Sequence, residues 1–146
     1  MFNGRTYGNC FSAYLASTLQ APIDCIPHFM HDGPTRDVWL QRVNTWLQPF
    51  NLGYVDLANT FDPKRSGLSG LHHEWRGRTG ENTWHSMVAV DDVVVHDPDP
   101  HGVQLVSEDR EVGVLIVLQP SRPIRLPRWW TVWRWWRRLA MWVGRR

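Results

Sequence analysis

The chain predicts an α+β domain, with N-terminal helices packed on an antiparallel β-sheet and a C-terminal amphipathic helix rich in Trp and Arg. Three observations predict it. Residues 10–50 carry two helical apolar patterns, residues 84–118 carry short Val-rich runs broken by Asp and Pro, and six of the ten tryptophans fall between Trp129 and Trp142. Helices followed by strands, rather than alternating with them, point to the α+β class. With 146 residues the chain is long enough to bury a real core in one domain.

The first helix opens at Gly8-Asn9-Cys10 and runs through small and apolar residues until Pro22 ends it. Cys10 therefore sits in a first helical turn, where free N–H groups and the helix dipole favour a thiolate. The position suits a nucleophile, and it equally suits a small buried filler. Pro22 to Phe29 reads as a proline-bounded turn with apolar anchors, in which Cys25 lies among Ile23, Ile26 and Phe29 as a packing residue. Thr35 then caps a second helix, in which Trp39, Leu40, Val43, Trp46, Leu47 and Phe50 recur at helical spacing.

Leu52 to Leu57 reads as a short strand, and Asp62 to Asn82 as a long Gly-, Arg- and Ser-containing loop that holds His72-His73. Trp84 to Val90, Asp91-Asp92, and Val93 to Asp97 form a hairpin, and Pro98 to Gly102 a tight exit. Val103 to Val106 and Val112 to Leu118 supply two further strands. Residues 1–120 thus make the body. Residues 121–146 make a Pro-containing linker and a helix over Arg128 to Val143.

Charge divides at the same place. Residues 1–111 hold 8 Lys/Arg and 14 Asp/Glu, whereas residues 112–146 hold 8 Arg and no acid. An acidic body with a basic tail directs attention to lipid headgroups or nucleic acid as partners of the tail. Trp129, Val132, Trp133, Trp136, Ala140 and Val143 share one helical face, with Arg134 and Arg138 opposite. That composition suits a helix lying in the headgroup layer of an anionic membrane. There each basic residue adds roughly 1 kcal/mol. The apolar stretch is too short and too often broken by Arg to span a bilayer. Packing of the Trp face on the body or on a second copy is the alternative. Nucleic acid is disfavoured by the acidic body. The two cysteines make no disulfide framework, and no signal peptide opens the chain, so the expected setting is the cytoplasm, peripheral on the inner membrane face if the tail binds lipid.

Cysteine catalysis needs a sulfur nucleophile, an imidazole to take and return its proton, and a third group to orient the imidazole. Cys10, His85 and Asp97 supply the three residue types. The sequence resembles the papain-like cysteine peptidase superfamily, through its small bacterial and phage-encoded members and the bacteriocin-processing peptidases. The resemblance rests on Gly8-Asn9-Cys10 opening the first helix, on His85 beginning the Val-rich run Ser86 to Val90, and on His96-Asp97-Pro98 closing the next strand; it covers roughly residues 3–105. It implies Cys10 as nucleophile, His85 as general base and acid, and Asp97 as orienting group, with a protein or peptide substrate and no cofactor. Superfamily members usually carry a Gln before the cysteine as oxyanion donor. Here the nearest amide is Asn3, with Asn9 as a further candidate. Losing one such donor typically costs about 10²–10³ in rate. A fold-retaining binding protein without turnover, and a membrane-active tail on a carrier domain, are the rival readings.

Strand parity makes the triad testable. With Asp91-Asp92 as a two-residue turn, His85 and Asp97 fall on opposite faces; a three-residue loop centred on Asp91 puts them on one face. The two-residue register would also bring His85 beside His96, the arrangement a metal site with His101 would need.

Overall fold

A computed structural model describes residues 8–57, 65–67, 69–81, 83–91, 93–99, 101–106, 111–128 and 130. Two helices, α1 (Cys10–Leu19) and α2 (Arg36–Leu47), lie with five strands: β1 (Leu52–Leu57), β2 (His72–Arg78), β3 (Trp84–Val90), β4 (Val93–His96) and β5 (Glu111–Val117). The strands form one antiparallel sheet in the order β1-β5-β2-β3-β4, so the fold is α+β as expected.

The sequence explains the helices directly. Phe11, Tyr14, Leu15 and Leu19 of α1 are buried, and so are Trp39, Val43 and Leu47 of α2. α1 ends where Gln20 turns left-handed (φ 52°) and the Ala21 N–H closes back on the Ala16 carbonyl, just before Pro22. The Ser12 hydroxyl donates to the Pro27 carbonyl at 2.7 Å and ties the 22–29 turn to the helix. Phe11, the residue after Cys10, lies edge-on to Trp39 (4.9 Å) and Tyr54 (5.3 Å), which locks the start of α1 onto α2 and β1. Cys25 packs half-buried against the same core.

Two expectations are corrected. The stretch read as a loop around His72-His73 contains β2, which pairs along its whole length with β3. Its inward side chains are charged: Glu74 is fully buried, and Arg76 is 11% exposed at its side chain. Arg76 pairs with Asp56 at 2.8 Å and with Glu111, while the Tyr54 hydroxyl donates to Glu74. Burial pushes the Glu74 carboxyl up, against the opposing pull of Arg76. Val103 to Val106 is not a strand; Leu105 makes a single bridge to Thr79.

The segment after β5 is bound to the body. The Asn51 carboxamide donates to the carbonyls of Gln119 and Arg122, both at 2.9 Å, and accepts from the Gln119 N–H at 3.0 Å. The Arg125 N–H reaches the Phe50 carbonyl, and Trp130, 2% exposed, stacks on Trp46. Trp129, Trp133, Trp136, Arg134 and Arg138, read as a membrane or partner face, lie outside the described residues. No helix among the described residues is long and apolar enough to cross a membrane.

Candidate active site

Three separate local causes bring Cys10, His85 and Asp97 together. Cys10 is the first residue of α1, held by the anchoring of Phe11. His85 is the second residue of β3, opposite Gly77 of β2. Asp97 follows the last residue of β4, and its placement depends on an irregularity that the hairpin pattern does not announce.

The β3–β4 ladder starts with Val90 opposite Val93 and Ala89 opposite Val94. The connection is therefore the two-residue Asp91-Asp92, with Asp91 left-handed (φ 55°), and not a three-residue loop. Continued regularly, this register would put His85 and Asp97 on opposite faces. The ladder shifts instead, so that Val88 faces His96 and Val95 is the extra residue of a β-bulge. One added residue exchanges the faces of everything after it. Asp97 thereby joins Met87 and His85 on one face, and Met87 and Asp97 line the same groove together with Trp75 and Val94. His96 goes to the opposite face and is exposed, so His85, His96 and His101 are not assembled as a metal set. Among the described residues no group of three or more His, Cys, Asp or Glu could hold a metal ion.

The carboxylate of Asp97 is held by backbone donors. Oδ1 accepts from the Asp99 N–H at 2.9 Å and Oδ2 from the Val103 N–H at 3.1 Å, while His85 Nε2 lies 2.7 Å from Oδ1. With Nε2 committed to Asp97, Nδ1 is the ring nitrogen left for sulfur, and the nearness of Cys10 raises the His85 pKa. Sγ also lies 3.8 Å from the Trp84 carbonyl oxygen, an acceptor for the S–H. Burial alone would lower the His85 pKa, but its hydrogen bonds to Cys10 and Asp97 outweigh burial and push it up to about 9. For Asp97, burial works upward, and the Asp99 N–H, His85 and the Val103 N–H together hold the carboxyl below its usual range. A protonated imidazole with one nitrogen on a carboxylate and the other toward a sulfur can pass a proton to a leaving group.

Oxyanion donors start at the helix. The first intrahelical bond runs from the Ala13 N–H to the Asn9 carbonyl, so the N–H of Cys10 precedes the ladder. Asn9 is exposed and its side chain makes no capping bond. Asn3, the other amide the sequence offers, lies outside the described residues.

Sequence reasoning placed Trp84 and Arg76 only as strand and loop residues. Trp84 borders the sulfur through its carbonyl, is 45% exposed, and has the guanidinium carbons of Arg78 and Arg76 at 5.6 and 5.8 Å from its ring centre. The Arg76 guanidinium also covers Trp39 at 4.6 Å. The place of Trp84 directly before His85 in the sequence is the available signal. His73, met in the sequence as half of a solvated histidine pair, is fully buried, with Nδ1 3.0 Å from the Leu71 carbonyl. Compared with protein-family models, with curated proteins and with solved structures, the chain gives no match.

Proposed function

We propose that the protein is a papain-like thiol hydrolase that cleaves an amide, peptide or isopeptide bond. The observation that carries the reading is the 2.7 Å contact of His85 Nε2 with the Asp97 carboxylate, on a strand whose Trp84 carbonyl lies 3.8 Å from Cys10 Sγ at the start of α1. In the first half-reaction Sγ attacks the acyl carbon as a thiolate whose proton already rests on the His85 imidazolium. The oxyanion is met by the Cys10 N–H, with the Asn9 carboxamide as the second candidate donor. The C–N bond then breaks, the amine leaves with the proton from His85, and a thioester remains. Water adds to the thioester as His85 takes its proton, the C–S bond breaks, and the acid departs as the thiol is restored. Asp97 keeps the ring oriented throughout.

The test compares the two cysteines by mass spectrometry after timed iodoacetamide treatment of the full chain. At pH 6.5, Cys10 is expected to react at least about tenfold faster than Cys25, because an imidazolium partner activates a sulfur. His85→Ala is expected to remove that advantage. Equal rates for the two sulfurs in the unaltered protein would support a binding protein that keeps the fold without turnover.

A further inference from the structure

We propose that the open edge of β4 is a docking surface for an extended, basic segment of a protein partner, which adds to the sheet as a further strand. The inference goes beyond the thiol-hydrolase reading and does not depend on it, because it concerns binding at β4 and not turnover at Cys10.

The two edges of the sheet differ. β1 and β4 are the outer strands of the order β1-β5-β2-β3-β4. On β1 the edge is closed from α2: the Asn44 carboxamide accepts from the Tyr54 N–H at 2.7 Å and donates to the Tyr54 carbonyl at 3.1 Å. Among the described residues no side chain does the same for β4, and Val93, Val94 and Val95 are 63%, 37% and 53% exposed.

The register says which groups face outward. Val90 and Val93 close a two-residue connection and form its hydrogen-bonded pair, so the next pair, Ala89 and Val94, is the non-hydrogen-bonded one. The N–H and C=O of Val94 therefore point away from β3. Its side chain shares a face with Trp75 and Met87, and the three line one groove. A strand pairing at Val94 gains main-chain hydrogen bonds there and lays the side chain opposite Val94 along that groove. Sheet edges bind extended peptides by this combination.

An unpaired edge with exposed valines is a template for any strand, and charge chooses among them. Residues 79–109 hold seven Asp/Glu and no Lys or Arg. Asp91 precedes β4 and accepts from the Ser69 hydroxyl and the Gly70 N–H; Asp99 follows β4 and accepts from the His101 N–H. None of these donors is a cation. A second copy of the chain fits this edge poorly, because antiparallel pairing centred on Val94 brings Asp91 of each copy toward Asp97 of the other. The complementary occupant is a segment with an apolar middle and basic flanks.

The probe is an acetylated, amidated peptide, Lys-Lys-Thr-Val-Thr-Lys-Lys, titrated into the isotope-labelled full chain and followed by amide NMR shifts. It is expected to move the amides of Val93, Val94 and Val95 and to bind at least about tenfold tighter than Glu-Glu-Thr-Val-Thr-Glu-Glu. N-methylation of its central valine, which removes the donor to the Val94 carbonyl, is expected to abolish binding. Val94→Pro removes the outward N–H while leaving the β3–β4 ladder bonds in place, and is expected to abolish binding too. Val94→Lys keeps the backbone and is expected to weaken binding at least about fivefold. Should Val94→Pro not fold, the N-methylated peptide gives the same test on the unaltered protein. Binding that survives N-methylation, equal binding of the Glu peptide, or shifts that leave Val94 unmoved would overturn the proposal. So would a dimer in sedimentation that Val94→Lys dissolves, since a second copy would then be the occupant.

Discussion

Replacing Asp97 with Asn tests how the imidazole is held. The carboxylate accepts from His85 Nε2 and the Asp99 N–H on one oxygen and from the Val103 N–H on the other. An amide has one accepting oxygen and one donating nitrogen, so Asp97→Asn sets an NH₂ against either His85 or Val103, two donors facing each other. A hydrogen bond to a charged group is worth about 1.5–3 kcal/mol. The 18% exposure of the Asp97 side chain argues for the lower end of that range. The larger effect falls on His85. With its pKa near the ordinary 6.5, the ring would be about 9% protonated at pH 7.5, and with the pKa pushed up to about 9 it is about 97% protonated. Losing the carboxylate leaves burial, which lowers the pKa, opposed by Cys10 alone. The His85 midpoint is expected to fall below about 8.

The His85 C2 proton followed by NMR reports this midpoint directly, and thermal unfolding reports its consequence. Because the folded pKa lies above the unfolded 6.5, the stability His85 contributes is complete below pH 6.5. It is lost as pH rises toward about 9. The unaltered protein therefore loses stability across that window, and Asp97→Asn loses less of it. Asp97 acts in the other direction: its depressed pKa adds stability above the ordinary carboxyl range, lost as pH falls through its folded value. A His85 midpoint near 6.5 in the unaltered protein, or one that Asp97→Asn leaves in place, would refute the reasoning.

Gly113→Ala places a Cβ into the Tyr54 ring and the Glu74 carboxylate. It is expected to cost about 3 kcal/mol in urea unfolding, and a neutral result would contradict the buried Tyr54–Glu74 contact. Trp130→Ala empties a site beside Trp46 and Phe50 and is expected to cost about 3–5 kcal/mol, read as a shifted urea midpoint. The tail is therefore better tested with a chain ending at Trp130 than with one ending at Pro120. Full-length protein is expected to sediment with anionic vesicles and the chain ending at Trp130 to stay in solution; equal partitioning would end the headgroup reading.

Much of this fold is legible in the sequence where one face of an element is apolar. The start of α1 at Cys10, the span of α2 and the β3–β4 hairpin follow from periodicity, proline and the Asp91-Asp92 turn. β2 is not legible in this way because its buried face is built from Glu74 and Arg76. Their burial is offset by Tyr54, Asp56 and Glu111, which lie on β1 and β5. An ion network closed by distant strands leaves no periodic trace. Val103 to Val106 errs the other way: its valines look like strand, yet this stretch follows the turn that the Asp97 carboxylate organises, and it meets the end of β2 through the Leu105–Thr79 bridge and the Val106 N–H on the Arg78 carbonyl. The identities of Cys10, His85 and Asp97 could be named in advance because the chemistry restricts the residue types. Their shared face could not, because Val95 looks like any other strand valine.

That bulge supports a last prediction that runs against ordinary strand behaviour. Removing one residue from a strand normally turns every later side chain to the other face. Here Val95 is the unpaired extra residue, so its deletion lets His96 follow Val94 in a regular ladder, still opposite Val88, with Asp97 still opposite Met87. Deletion of Val95 is therefore expected to keep the raised His85 midpoint and the iodoacetamide advantage of Cys10. Inserting one alanine between Val95 and His96, with Val95 still the unpaired residue, puts the alanine opposite Val88 and Asp97 opposite Ser86, turned away from His85, and is expected to give the His85→Ala level of reactivity. If the deletion destroys the advantage and the insertion preserves it, Asp97 does not reach the imidazole by the bulge, and the face-sharing argument fails with it.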